Sequence, residues 1–205
     1  MKLLIASRSR AKQREIRALF EGTGLELTFP QDLNLPPSPE EERLETGETF
    51  EANARAKAEY FARKVFLPTV ADDSGLEVFS LGGDPGVRSK RWSGVTGTDA
   101  EVDAANNAYL LRRLLGAAPE RRRARYRCAV AYLPEPRAVA QIFEGSCTGE
   151  ILTAPIGDRG FGYDPLFLSD DLGKSFGQAT TDEKDLVSHR GRAFAALLRN
   201  LTGAP

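Results

Sequence analysis

An apolar run that stops abruptly against a polar one constrains this chain most. Leu3-Leu4-Ile5-Ala6 passes without a gap into the polar stretch Ser7 to Lys12, after which Ile16, Leu19 and Phe20 recur at helical spacing. The run predicts a buried strand and the polar stretch a turn. The spacing predicts a helix of about 12 residues ending near Gly22 or Gly24. Leu25 to Phe29 alternates and predicts a second strand. Residues 30–47 hold Pro30, Pro36, Pro37 and Pro39 with the acidic run Glu40 to Glu42, and predict a loop. From Thr49, the residues Phe50, Ala54, Ala58, Phe61 and Val65 form one helical stripe, with Asn53 and Lys57 along its edge. Thr69 to Phe79 predicts strand, tight turn over Asp72-Asp73-Ser74-Gly75, and strand.

The second half continues the alternation. Residues 81–97 predict an exposed glycine-rich loop, 98–115 a helix, and 126–133 with 139–148 an antiparallel pair around Pro134 and Pro136. Residues 156–165 predict a second glycine-rich loop. Leu186, Ala193, Phe194, Leu197, Leu198 and Leu201 predict one last helix, starting at the capping-box spacing Thr180-Thr181-Asp182-Glu183. Helices and strands interleave, so the class is α/β with a mixed sheet.

A chain of 205 residues buries roughly 70% of its open surface. That suffices for one large domain or two small lobes without metal or disulfide staples. The net charge of −1 argues against a global attraction to nucleic acid or anionic membrane. The basic run Arg121 to Arg127, interrupted by Ala124 and Tyr126, is the rival signal, but it is brief and runs into a predicted strand. No stretch of about 18 apolar residues occurs. The opening Met1 to Ala6 is too short for a signal peptide. Cys128 and Cys147 lack metal-ligand spacing and predict reduced thiols in a reducing, cytoplasmic compartment. The single histidine, His189, excludes histidine metal clusters.

Five segments carry chemistry. The turn Ser7 to Lys12 presents backbone N–H groups at a helix start, where anions bind; a solvated first turn is the alternative, and the glycines of a Walker loop are absent. Asp72 and Asp73 after an apolar run suit Mg²⁺, a hard cation that keeps several waters, or form an ordinary turn. Glu45 reads as a further metal ligand and Lys57 as a phosphate partner, or both belong to a solvated helix face. In Gly160-Phe161-Gly162-Tyr163-Asp164-Pro165 the glycines let backbone approach a ligand while the ring offers a stacking face, or the ring is core. Lys184, His189 and Arg190 cluster donors near a helix start, or His189 is structural.

In this order the segments resemble the inosine triphosphate pyrophosphatase (Ham1-like) family, from about residue 2 to 201. The most specific pieces are A-D-D-S-G-L at 71–76, G-F-G-Y-D-P at 160–165 and E-K-x-x-x-S-H-R at 183–190. E-T-G-x-T-F at 45–50, N-A-x-x-K-A at 53–58, P-G-V at 85–87 and S-x-R-W-S-G at 89–94 are also similar. The resemblance implies a single two-lobed α/β domain over residues 1–205, with a long mixed sheet and a central substrate cleft. It implies a homodimer that hydrolyses inosine and xanthosine triphosphates, and their deoxy forms, to monophosphate and pyrophosphate with Mg²⁺. No nucleic acid or membrane partner is implied.

Carried over by position, Ser7, Arg8, Ser9, Arg10, Ala11 and Lys12 fall on the phosphate-binding turn, and Lys57 on a lysine facing the phosphates. Glu45 and Asp73 fall on the metal-binding acids, and Asp73 also on the catalytic base. Ser74, Phe161, Gly162, Tyr163, Asp164, Lys184, His189 and Arg190 fall on substrate-binding positions. The chain departs from the family's common residues at Ser9, Ala52 and Gln178. The runner-up is a Maf-like pyrophosphatase for other modified nucleotides. A nucleotide sensor without turnover is the reading from a different class.

Overall fold

Six strands form one sheet in the order β2-β1-β3-β4-β5-β6 in the computed structural model, which describes residues 1–203. The strands are β1 (Lys2–Ile5), β2 (Glu26–Thr28), β3 (Thr69–Val78), β4 (Arg123–Leu133), β5 (Gln141–Ile151) and β6 (Phe167–Ser169). The helices are α1 (Arg10–Leu19), α2 (Phe50–Val65), α3 (Asp99–Arg113), α4 (Thr181–Val187) and α5 (His189–Thr202). β1 pairs in parallel with β2, Leu3 opposite Leu27, and with β3, Leu4 opposite Thr69. β6 pairs antiparallel with β5, Leu168 opposite Glu150. The sheet is therefore mixed and the class α/β, as the interleaving predicts. β1 is buried after its first residue, which is why it reads as an unbroken apolar run.

The chain divides into two compact units. Unit 1 comprises Met1–Asp73, Cys128–Gly145 and the chain from Arg192 onward; unit 2 comprises Ser74–Arg127 and Ser146–Gly191. Leu3, Ile5, Ile16, Val130 and Phe194 centre the first core, and Leu76, Leu110, Ile151, Phe167 and Phe176 the second. Cys128 is buried in the first core and Cys147 in the second. Among the described residues no helix is long and apolar enough to cross a membrane.

Helix starts follow their sequence signals. Ser9, Thr49, Thr98 and Thr180 cap α1, α2, α3 and α4, and Thr98/Glu101 and Thr180/Glu183 complete capping boxes. The proline-rich loop contains short 3₁₀ turns at Pro30–Leu33 and Pro39–Arg43, and the 81–97 loop contains another at Gly86–Arg91.

Two expectations are corrected. No turn interrupts β3: Thr69–Val78 is one strand of 10 residues, and Gly75 does not adopt a left-handed φ. An Asp-Asp-Ser-Gly turn would leave its carboxylates in water, whereas Asp72 and Asp73 are buried and face lysines of α1 and α2. The last helix is two helices, because Ser188 is extended (ψ 157°) between α4 and α5. The Ser188 hydroxyl accepts the Gly191 N–H at 3.0 Å, so it starts α5 as a cap.

Gly191 also lets the two helices meet. A Cβ built there collides with the Asp185 carbonyl oxygen of α4. Gly191→Ala is expected to cost about 1–3 kcal/mol by overpacking, a fall of roughly 2–12 °C in Tm. A melting curve within about 1 °C of wild type would show that the corner opens without cost.

The basic run is tied into unit 2. Arg122 is buried and donates to the carbonyls of Leu114, Ile151 and Leu152; Arg123 pairs with Asp170, and Arg125 and Arg127 with Glu77.

Candidate active site

In unit 1 the chain leaves β1 at Ile5 and enters α1 through Ser9, whose hydroxyl accepts the Lys12 N–H at 3.4 Å. The first turn of α1 holds Arg10 and Lys12 but no acid. Cations at the positive end of a helix are unfavourable unless an anion joins them. Gln13 holds the turn by donating to the Ser7 carbonyl at 2.7 Å. Arg8 is directed elsewhere. Its guanidinium grips both Glu41 oxygens and the carbonyls of Leu35 and Pro36, and lies over the Phe61 ring. It braces the proline-rich loop against Glu41, while its backbone stays in the turn between β1 and α1.

Lys12 reaches Asp72 at 3.0 Å. From α2, Lys57 donates to Glu45 and to the Asp72 carbonyl, each at 2.6 Å, and lies 3.7 Å from Asp73. One helical turn earlier Asn53, 1% exposed, donates to Asp73 Oδ2 at 2.8 Å and accepts the Gly47 N–H at 2.8 Å. Asn53 thus joins the catalytic candidate to the loop that carries Glu45. Its fourth-residue spacing from Lys57 is visible in the sequence; its bridging role is not. A Cβ at Gly47 would press on Asn53 Oδ1 at 2.7 Å, which explains that glycine.

Charge sets the behaviour of this cluster. Burial pushes the Asp73 carboxyl above the ordinary carboxylate range, against the pull of Lys57 and Lys12; Glu45 adds to the rise and the Asn53 N–H opposes it. Burial pulls Lys57 down, but Glu45, Asp73 and Asp72 outweigh it and hold the ammonium above its ordinary value. Three carboxylates against two ammoniums leave an excess of one negative charge.

Among the described residues no group of three or more His, Cys, Asp or Glu side chains is arranged to hold a metal unaided. Glu45 and Asp73 nevertheless direct carboxylate oxygens at one cationic nitrogen, that of Lys57. Two hard oxygen donors fit an ion that takes its other ligands from phosphate and water, as Mg²⁺ does.

In unit 2 the Ser74 hydroxyl accepts from Arg190 at 2.7 Å. Arg190, 2% exposed, places its guanidinium 5.7 Å from the Phe161 ring centre. Lys184 lies 5.2 Å from the same centre and pairs with Asp164. Asp164 also accepts the Phe161 N–H at 2.9 Å. The His189 ring stacks on Tyr126 at 4.5 Å. Phe161, Asp164, Lys184 and Arg190 are therefore brought together, with Ser74 on Arg190. Tyr163 is buried and donates to the Ser89 carbonyl at 2.9 Å, so it braces the loop from behind. Ser89 in turn accepts the Leu76 N–H, which explains the first serine of the 89–94 motif.

A model of the Ham1 family matches residues 3–200. A dITP/XTP pyrophosphatase of Frankia alni is 47% identical over 205 residues, covering 98% of each chain. That of Thermus thermophilus is 43% identical, covering 100% of this chain and 94% of its own. A HAM1 protein structure from Coxiella burnetii aligns with TM-score 0.85 at 32% identity and full coverage of both chains. A nucleoside-triphosphatase / dITP/XTP pyrophosphatase structure from Mycobacterium abscessus aligns with TM-score 0.72 at 43% identity, covering 97% of this chain and 99% of its own.

Proposed function

The chain belongs to the Ham1 family, and from that premise we propose how its residues act. It is a nucleoside triphosphate pyrophosphohydrolase. Its substrates are purine nucleotides outside the usual four, the triphosphates of inosine and xanthosine and their deoxy forms. The observation that carries the reading is Asp73: a buried acid, oriented by Asn53 and Lys57, on the strand whose next residue, Ser74, is bonded to Arg190.

Water is the nucleophile. It adds to the α-phosphorus, its proton passes to the Asp73 carboxylate, and the bond from that phosphorus to the bridging oxygen breaks. Monophosphate and pyrophosphate result. A carboxylate held above its ordinary pKa is the better proton acceptor. Lys12 and Lys57 offset phosphate charge, and the acid-free first turn of α1 offers N–H donors. Asn53 fixes which Asp73 oxygen faces away from the water. Glu45 and Asp73 would hold Mg²⁺, which when bound supplies charge for the phosphates and the leaving pyrophosphate. In unit 2, Arg190 and Phe161 take the base. No thiol or serine–base pair is needed, since no covalent intermediate forms.

The test is a nucleotide panel assayed for phosphate release with added inorganic pyrophosphatase. Inosine and xanthosine triphosphates are expected to be turned over well ahead of ATP. Preference for modified pyrimidines would point to the Maf-like chemistry instead, and saturable binding without turnover to a sensor. Activity is expected to require Mg²⁺ or Mn²⁺ and to be inhibited by Ca²⁺, whose longer, looser coordination misplaces the water. Full activity in excess EDTA would remove Glu45 and Asp73 from the metal role together.

The proposal extends to surroundings. The buried Cys128 and Cys147 suit a reducing compartment, hence the cytoplasm. A homodimer is proposed on family resemblance, testable by light scattering. The reaction requires neither nucleic acid nor membrane.

A further inference from the structure

The loop that carries Phe161 is built from residues that resist being held. Gly160 and Gly162 flank the aromatic and both take left-handed φ, +73° and +63°. Glycine on each side gives the backbone the most conformational freedom a chain has. A stacking ring on such a hinge needs an external restraint.

That restraint comes from one face of α3. Asp103 and Asn107 are four residues apart and therefore share a face. Asp103 Oδ2 accepts the Gly162 N–H at 2.8 Å, and Asn107 Nδ2 donates to the Gly162 carbonyl at 3.0 Å. One residue is gripped at its donor and at its acceptor by two side chains of a single helix. Neither peptide plane at Gly162 can rotate without breaking a bond.

Two adjacent asparagines show how the grip is divided. Asn107 leaves its buried Oδ1 without a hydrogen-bond partner. The opposite amide orientation would set that oxygen against the Gly162 carbonyl, so the observed one keeps the loop bond at the expense of the other atom. Asn106, next in sequence, holds a different segment: it accepts the Ser93 N–H at 2.8 Å and donates to the Lys90 carbonyl at 3.0 Å. Adjacent asparagines thus serve two loops.

We propose that Asp103 and Asn107 are positioning residues for base recognition. By clamping Gly162 they fix the Phe161 ring beside Lys184 and Arg190, and so set affinity for the nucleoside part of the substrate. The inference rests on the reading of unit 2 as the base site. Asp103 acts on the loop as an acceptor through Oδ2 and Asn107 as a donor; the other Asp103 oxygen, Oδ1, pairs with Lys90 at 2.9 Å, a contact the loop does not use.

The experiment compares Asn107→Ala, Asp103→Ala and Asp103→Asn with wild type. Alanine is the better helix former at either position, so α3 is preserved. The first readout needs no substrate: hydrogen–deuterium exchange over residues 160–164. Exchange is expected to speed up about three- to tenfold in Asn107→Ala and Asp103→Ala. It should stay near wild type in Asp103→Asn, whose amide oxygen still accepts from Gly162. The second readout is product inhibition. In the two alanine variants, inosine monophosphate should inhibit about three- to tenfold more weakly and KM should rise in step. Inhibition by pyrophosphate and kcat should move by less than about twofold.

Unchanged exchange in Asn107→Ala overturns the inference, whatever the inhibition data. So does an Asp103→Asn variant as impaired as Asp103→Ala, which would assign Asp103 to Lys90 and not to the loop. Equal weakening of both products would mean a general loss of structure and equally overturns it. A wild type that inosine monophosphate fails to inhibit would instead sink the reading of unit 2, and the exchange result would still report whether the clamp exists.

Discussion

Asp73→Asn is expected to lower kcat by at least about 10²–10⁴, the usual loss when a positioned base is removed, with a further fall from loss of the proposed metal ligand. The same substitution should leave the fold as stable as before, or more so. Burial holds the Asp73 carboxyl above its ordinary value, so the acid gives up its proton less readily in the folded state than in the unfolded one. The stability that goes with this shift is present below the unfolded pKa and is lost as pH rises through the folded one. At neutral pH the ionised carboxylate is therefore a burden that asparagine does not carry. Lys57 keeps Glu45 at 2.6 Å and is not left unpaired in the variant. Thermal melts in EDTA should show Asp73→Asn at or above wild-type Tm near neutral pH, the gap closing as pH falls toward the raised pKa. A variant that melts lower and retains more than about a tenth of kcat would contradict both halves: the base would lie elsewhere, and Asp73 would be a structural acid. Asp72→Asn supplies the contrast. Its carboxylate faces Lys12, so a milder loss is expected.

That opposition of stability and activity explains where the sequence was legible. Local rules locate β1, the turn after it, α1 and α2, because an apolar run, an N-cap serine and a helical stripe are set by near neighbours. They also place Asn53 and Lys57 on one helix edge. They fail at Asp72-Asp73-Ser74-Gly75, where turn chemistry is read and a strand is found. The residues that reverse the outcome, Lys12 and Lys57, lie far away in the chain and bury the two acids. Arg8 shows the same limit: its position in the turn is local, but the pairing of its guanidinium with Glu41 is not. The break between α4 and α5 depends on Gly191 meeting Asp185 across the corner, and periodicity carries no trace of it. Asp103 and Asn107 stand on an unremarkable helix, and only tertiary contact with Gly162 gives them a role. Motif residues proposed to touch ligand are visible as chemistry, whereas Asp103 and Asn107, which hold one of them, are visible only as geometry.

Base choice is expected to reside in Arg190, with Phe161 supplying affinity. Hypoxanthine and xanthine present an acceptor oxygen at position 6, where adenine presents an amino donor. A guanidinium has only donors, so it satisfies the oxygen and opposes the amine. Arg190 is 2% exposed, and its bond to Ser74 fixes the guanidinium beside the Phe161 ring. A buried donor that adenine leaves unmet is a strong discriminator; sites built on such bonds reject the wrong analogue by up to about 10⁴–10⁵. Stacking contributes about 1–3 kcal/mol per base whatever its edge carries. Arg190→Ala should therefore shrink the ratio of kcat/KM for inosine over adenosine triphosphate by about 10² or more. Phe161→Ala should lower both values together, by roughly 5- to 150-fold, and leave the ratio in place. Because Arg190→Ala also empties a buried site and strips Ser74 of a donor, Arg190→Lys is the control. It keeps charge and donors without the planar fork, and should give an intermediate ratio with a smaller loss of Tm. A ratio that collapses in Phe161→Ala and survives in both arginine variants would move base reading to the aromatic loop. The clamp on Gly162 would then control selectivity as well as affinity.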